Sequence, residues 1–206
     1  MILVPVILAS GFAAAFLDDR TPQLSRLFKM IASTAVIGLV FARSPEPSAY
    51  LVLIVVALAA SWIGDLALSY DGRAPFVIGL VAFAGAHLAY IAAFMARSSL
   101  VNLTLIVTGA AMAVFAVIII RWLSPHRPAE LKVPITVYVV IISVMVATAF
   151  ATNATLPDIR IPIAAVMFAA SDLFVARQRF VTASRVNRIV GLPLYFLAQT
   201  IFATTP

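Results

Sequence analysis

Residues 61–69 read Ser-Trp-Ile-Gly-Asp-Leu-Ala-Leu-Ser. They set a carboxylate, Asp65, inside a run of about twenty apolar residues, the length that crosses a bilayer. An acid at such depth costs about 2.5–3.5 kcal/mol on insertion scales, so it faces a bundle interior or a wet cavity and has a task there. A second stretch, Ala169-Ala170-Ser171-Asp172-Leu173, repeats the setting in a later apolar run. Any function for this chain must account for two carboxylates on different membrane helices.

Composition points the same way. Of 206 residues, 64% are hydrophobic and 11% charged, and the mean hydropathy is +1.11. A water-facing surface needs far more charge than that. The chain has no cysteine, which excludes disulfides, thiolate catalysis and cysteine-ligated metals. Two histidines, His87 and His126, are too few for a histidine-rich metal site, and no metal or cofactor is expected. The net charge of +6 does not imply nucleic acid, because the cations sit in connections between apolar runs and so speak to topology.

Eight spans are expected: Ile2 to Leu17, Leu24 to Phe41, Tyr50 to Tyr70, Pro75 to Met95, Leu100 to Leu123, Val133 to Ala151, Ile159 to Ala176, and Ile189 to Thr204. Continuous apolar runs of this length fit helices rather than the alternating short segments of a membrane barrel. The expected fold is therefore an all-α polytopic membrane bundle, one integral domain over residues 1–206. No basic residue precedes the first apolar stretch, so it reads as a span and not as a cleavable signal.

The connections after spans one, three, five and seven hold most of the Lys and Arg residues, leaving Arg43, Arg97 and Arg160 on the other side. The positive-inside rule then places both termini on the non-cytoplasmic face, in a bacterial inner membrane. In that orientation Asp65 and Asp172 lie at matching depths, about 7–9 Å inside the cytoplasmic end. They can meet if spans three and seven are neighbours. Each acid is followed, after a cytoplasmic connection, by a similar tripeptide, Ile78-Gly79-Leu80 or Val190-Gly191-Leu192. Two parallel four-helix repeats would produce this echo.

Other polar residues fall at helical spacing. Ser61, Asp65 and Ser69 share a face of span three. His87 and Tyr90 are adjacent on span four, and Asn187, Gly191, Tyr195 and Gln199 recur every four residues on span eight. A buried amide needs a partner, so Gln199 must bond something. Each of these has a plainer reading as interhelical packing. Lys29, flanked by apolar residues, and the Arg177, Arg179, Arg185 and Arg188 cluster are candidates to hold a lipid phosphate. Asp18, Asp19 and Asp158 sit at span ends and read as solvated. No serine-hydrolase elbow, zinc-protease motif or phosphate loop is present.

Taken in order, several motifs resemble the YhhN membrane family of lysoplasmalogenase-like proteins. They are Gly64-Asp65 with Leu68; Phe76, Gly79, Phe83, Ala86-His87, Tyr90 and Phe94; Ser171-Asp172-Leu173 with Phe180; and Tyr195, Ala198 and Gln199. Met30 after Lys29 and Phe196 after Tyr195 depart from the family pattern. The resemblance implies hydrolysis of the vinyl ether of a lysoether phospholipid drawn from the membrane, giving a fatty aldehyde and a glycerophospho-base. It would make Asp65 and Asp172 the acid and base, with Lys29 at the phosphate and His87, Tyr90, Tyr195 and Gln199 positioning water or substrate. A small transporter or lipid-binding bundle, with the acids as a proton or cation relay, is the alternative. Proline and glycine interruptions in the middle of spans would favour it, and most prolines here lie at span ends.

Overall fold

Inside a bilayer every backbone N–H and C=O must find its partner within the protein, which turns long apolar runs into helices. The computed structural model describes residues 2–17, 21–43, 46–99 and 101–206. Within them lie eight α-helices and no strand: α1 (Leu3–Leu17), α2 (Pro22–Ala42), α3 (Ala49–Ala67), α4 (Arg73–Arg97), α5 (Leu103–Leu123), α6 (Lys132–Thr155), α7 (Arg160–Ala176) and α8 (Arg185–Phe202). Asp18, Asp19 and Arg20, and the expected start of span five at Leu100, lie outside the described residues.

Each expected span holds a helix, but not all eight qualify as crossings. The six from α2 to α7 are long and apolar enough to traverse a membrane. α1 has 15 residues. α8 is diluted by Arg185, Asn187, Arg188 and Gln199 and carries Pro193 in its interior. Starts are set by ordinary chemistry: Ser48, Asn102 and Ser184 cap α3, α5 and α8 through their side chains. Pro22 opens α2, where a missing N–H costs nothing. α2 runs unbroken through Met30.

Neighbour relations close a ring. Around it stand α1, α2, α3, α4, α6, α7 and α8, with α8 packing back on α1 and also touching α2. α5 stands outside, against α6. Its outward side chains, such as Ile106 at 70% and Ile118 at 58% exposed, suit lipid and would be untenable in water. α3 and α7, whose adjacency the sequence leaves open, are not packed together; they form opposite walls of the ring. The sequence could not show this, because nearly every face of these helices is apolar.

One half of the ring is solid. Tyr90 stacks on Phe202 at 4.2 Å and on Phe94 at 6.3 Å, and Phe83, Phe168 and Tyr195 meet edge-to-face at 5.3–6.0 Å. Gly64 permits a close approach of α3 to α4, since a Cβ there would lie 2.6 Å from the Phe83 ring. The other half is open.

A candidate active site on one cavity

The open half encloses a cavity of about 540 Å³, within the usual size range of small-ligand sites. Asp65 from α3 and Asp172 from α7 both line it, as do Lys29, Tyr138 and Tyr195. The two carboxylates reach one space from opposite walls, and no hydrogen bond joins them. Their companies differ.

Asp65 is almost fully enclosed, its side chain 2% exposed. The Lys29 ammonium stands 3.5 Å from its Oδ1. Its Oδ2 accepts from the hydroxyls of Ser33 and, at 2.7 Å, of Tyr195. Tyr195 in turn accepts from Gln199 Nε2 at 3.1 Å, and Tyr90 donates to Gln199 Oε1. A continuous polar chain thus runs from Lys29 through Asp65 to Tyr90, down the face of α8 that carries Asn187, Gly191, Tyr195 and Gln199. Each buried side chain along it has a hydrogen-bond or ionic partner, as burial demands. Of the other residues on the Asp65 face, Ser61 is buried and Ser69 bonds back to the Asp65 carbonyl.

Asp172 is more open, 17% exposed at the side chain. Tyr138 donates to its Oδ2 at 2.7 Å, and His87 Nε2 lies 3.2 Å from the same atom and 3.1 Å from the Tyr138 oxygen. His87 Nδ1 is buried without a protein partner. The Nε2–H tautomer therefore satisfies this corner best, donating to both oxygens. The helix also extends farther past Asp172 than the sequence suggested. α7 does not stop at Arg177 but continues as a π-helical turn to Val181, nine residues beyond the acid, or about 13 Å. Such turns gather at functional sites, and this one aims Gln178, Arg179 and Phe180 at the cavity.

The expected contacts therefore sort into two sets. Lys29 and Tyr195 line the cavity; His87, Tyr90 and Gln199 stand behind its wall, His87 bonded to Asp172 and Gln199 to both Tyr195 and Tyr90. Lys29, expected at a phosphate, turns its ammonium to Asp65. Arg177, at the start of the π turn, donates to Asn187 Oδ1, while Arg26, Arg179 and Arg188 line the cavity. Tyr138 and Ser33 were missed. A lone tyrosine in an apolar helix reads as core, and a serine beside small apolar residues reads as packing.

Asp158, expected to be solvated, is an ion cluster at the opposite end of the bundle. Arg160 grips it through Nε at 2.8 Å and Nη2 at 2.9 Å, and Arg97 Nη2 lies 3.3 Å away. Among the described residues, no three His, Cys, Asp or Glu side chains are grouped as metal ligands.

No solved structure matches this chain. Proteins named lysoplasmalogenase in Mycobacterium bovis and in Mycobacterium tuberculosis are each 35% identical to it over 147 residues, covering 69% of this chain and 54% of the relative. The chain thus spans about half the length of the curated relatives it matches. The YhhN family matches residues 24–205, a stretch that includes Lys29, both aspartates and all the residues bonded to them, so this chain belongs to the YhhN family.

Proposed function

We propose that this protein is a membrane hydrolase that cleaves the vinyl ether of a lysoplasmalogen, releasing a fatty aldehyde and a glycerophospho-base. The observation that carries the reading is the placement of Asp65 and Asp172 on opposite sides of one cavity in unlike electrostatic company. The lysoplasmalogenase name of the mycobacterial relatives supports the substrate class.

Vinyl ether hydrolysis begins when a proton is delivered to the outer alkene carbon, which leaves an oxocarbenium ion. Water then adds, and the hemiacetal collapses. This needs one group that gives a proton and one that takes it. The two carboxyls divide these roles between them. One gives its proton to carbon, and the other takes one from the attacking water. In the collapse, the hemiacetal hydroxyl returns a proton to the first while the second passes its own to the departing glycerol oxygen. Both groups end as they began. The ionised member of the pair also faces the cationic intermediate across the cavity, a preorganised stabilisation of developing charge.

Tyr138 and His87 orient Asp172, and Tyr195 and Ser33 orient Asp65. The cavity end, which carries Arg26, Lys29, Arg179 and Arg188, faces the cytoplasm under the positive-inside rule. Pro193 within α8 is a mid-helix interruption of the kind a transporter would use, but the far half of the ring is filled by packed aromatic rings.

The deciding experiment offers purified protein a vinyl-ether lysolipid and its saturated ether analogue. Release of aldehyde from the first alone, lost in Asp65→Asn and Asp172→Asn variants that still fold, is expected. Near-normal turnover in either variant would overturn the assignment.

A further inference from the structure

The cavity has two chemical halves, and the acids stand where they meet. Walls from α2, from the connection after α3, from the π turn and from α8 present Arg26, Lys29, Asp71, Arg179, Asn187 and Arg188. Walls from α4, α5 and α6 present Phe76, Leu80, Phe115, Ile119, Val139 and Ile142, with Tyr138 at the border holding Asp172. Helical spacing makes each of these a single stripe: Phe76, Leu80 and Phe83 on α4, Phe115, Ile119 and Leu123 on α5, and Ile135, Val139 and Ile142 on α6. They occupy the first turns of α4 and α6 and the last of α5, so the apolar recess is about 10 Å tall and lies at the level of the acids.

α5 is the informative element. It stands outside the ring, and Ala116 and Leu123 are its only buried residues. It nonetheless sends three side chains to the cavity wall. A helix that otherwise faces lipid thereby closes an apolar recess beside two carboxylates.

At the polar end, Arg26 lies on the Tyr70 ring at 3.8 Å and donates to the Ser69 carbonyl. Arg179 lies over Phe76 at 5.0 Å and donates to the Gly72 carbonyl. Each guanidinium is fixed by one such bond, and its fork has further N–H groups of the kind that match a phosphate.

We propose that the recess between α4, α5 and α6 binds the hydrocarbon chain of a single-chain phospholipid whose anionic head lies at Arg26 and Arg179, and that Ile119 limits the chain length. The identity of the head rests on the hydrolase reading; the recess itself needs no catalysis. In this pose the first chain carbons, where an alkenyl ether joins glycerol, fall at the border between the halves and so between Asp65 and Asp172.

The test measures binding of uncleavable saturated-ether lysophospholipids of increasing chain length, by displacement of a fluorescent lysolipid from protein in nanodiscs. Ile119→Trp should shorten the longest chain bound well, with about fourfold weaker binding for each methylene shut out and little change for short chains. Leu80→Trp, from the facing wall, should do the same. Ile118→Trp, on the lipid face, should leave the series unchanged, and Arg26→Gln should weaken all lengths alike. A length profile in both recess variants identical to that of Ile118→Trp overturns the proposal, as does preference for free fatty acids over lysolipids of equal length. Protein that shows the shifted profile yet leaves vinyl ethers intact keeps the recess and loses the hydrolase. Protein that cleaves them with no length shift keeps the hydrolase and loses the recess.

Discussion

Lys29 of α2 sets its ammonium 3.5 Å from Oδ1 of Asp65 on α3, and Ser33, one turn further along α2, donates to the other oxygen of the same carboxylate. One helix therefore supplies both the charge and the hydroxyl that make a buried acid tolerable. Removing one member of such a pair strands the other in low dielectric, a loss of about 3–5 kcal/mol. Lys29→Met should lower the unfolding midpoint in detergent accordingly and abolish turnover. The double variant Lys29→Met/Asp65→Asn should recover most of the stability and none of the activity. If Lys29→Met melts with the unaltered protein, the pair does not hold Asp65.

Tyr138→Phe separates orientation of Asp172 from lipid binding. Its hydroxyl reaches Asp172 at 2.7 Å, and removing one partner of a buried hydrogen bond costs about 1–3 kcal/mol. Turnover should fall about 10- to 100-fold, while the affinity for a saturated-ether lysolipid stays as it was. A weakened affinity with unchanged kcat would place Tyr138 at the substrate instead.

Helix positions were legible because unbroken apolar runs end at polar or proline-rich connections. The two acids were legible because nothing else explains charge at that depth. Neighbour relations were not. Apolar residues surround α5 on every side, so no stripe reveals that it stands outside the ring, and α3 and α7 carry no mark that they face each other across a void. Arg26 is indistinguishable in sequence from a topology signal; its place at the cavity follows from the fold of residues 69–72 against it. The π turn at Arg177–Val181 has no sequence signature at all, and it alone carries the helix farther past Asp172 than spacing predicts.

Glycines report the tightest helix contacts. A Cβ on Gly79 would sit 2.6 Å from Leu68 and 3.5 Å from the Gly64 carbonyl; one on Gly191 would sit 2.8 Å from Phe174 and 3.7 Å from the Ser171 carbonyl. Gly64 and Ser171 each precede one of the two cavity aspartates, so both glycines let a helix lie against the backbone that aims a carboxylate into the cavity. Gly64→Ala, Gly79→Ala and Gly191→Ala should each cost about 1–3 kcal/mol of stability through overpacking and reduce turnover. Gly85 and Gly109 are different: a Cβ at either would meet nothing within 4 Å. Both should accept alanine with a gain of up to about 1 kcal/mol from helix propensity. Equal melting temperatures across both groups would show that the α3–α4 and α7–α8 contacts are looser than they look.

Far from the cavity, Asp158 ties together the ends of α4, α6 and α7. Arg160 also donates to the Thr204 carbonyl and Arg97 to that of Thr205, whose hydroxyl accepts from Tyr50. Burial alone would push the Asp158 carboxyl up, but hydrogen bonds and charge from Arg160, with Arg97 adding charge, hold it below the usual carboxylate range. Because the folded value lies below the unfolded one, near 3.9, the cluster's contribution is fully present above about pH 4 and is lost as pH falls through the folded value. The unfolding midpoint should therefore drop on acidification below about pH 4. Asp158→Asn should melt lower at neutral pH and lose less on acidification, so the two curves converge at low pH. Parallel curves, equally sensitive to acid, would show that another carboxylate sets the limit.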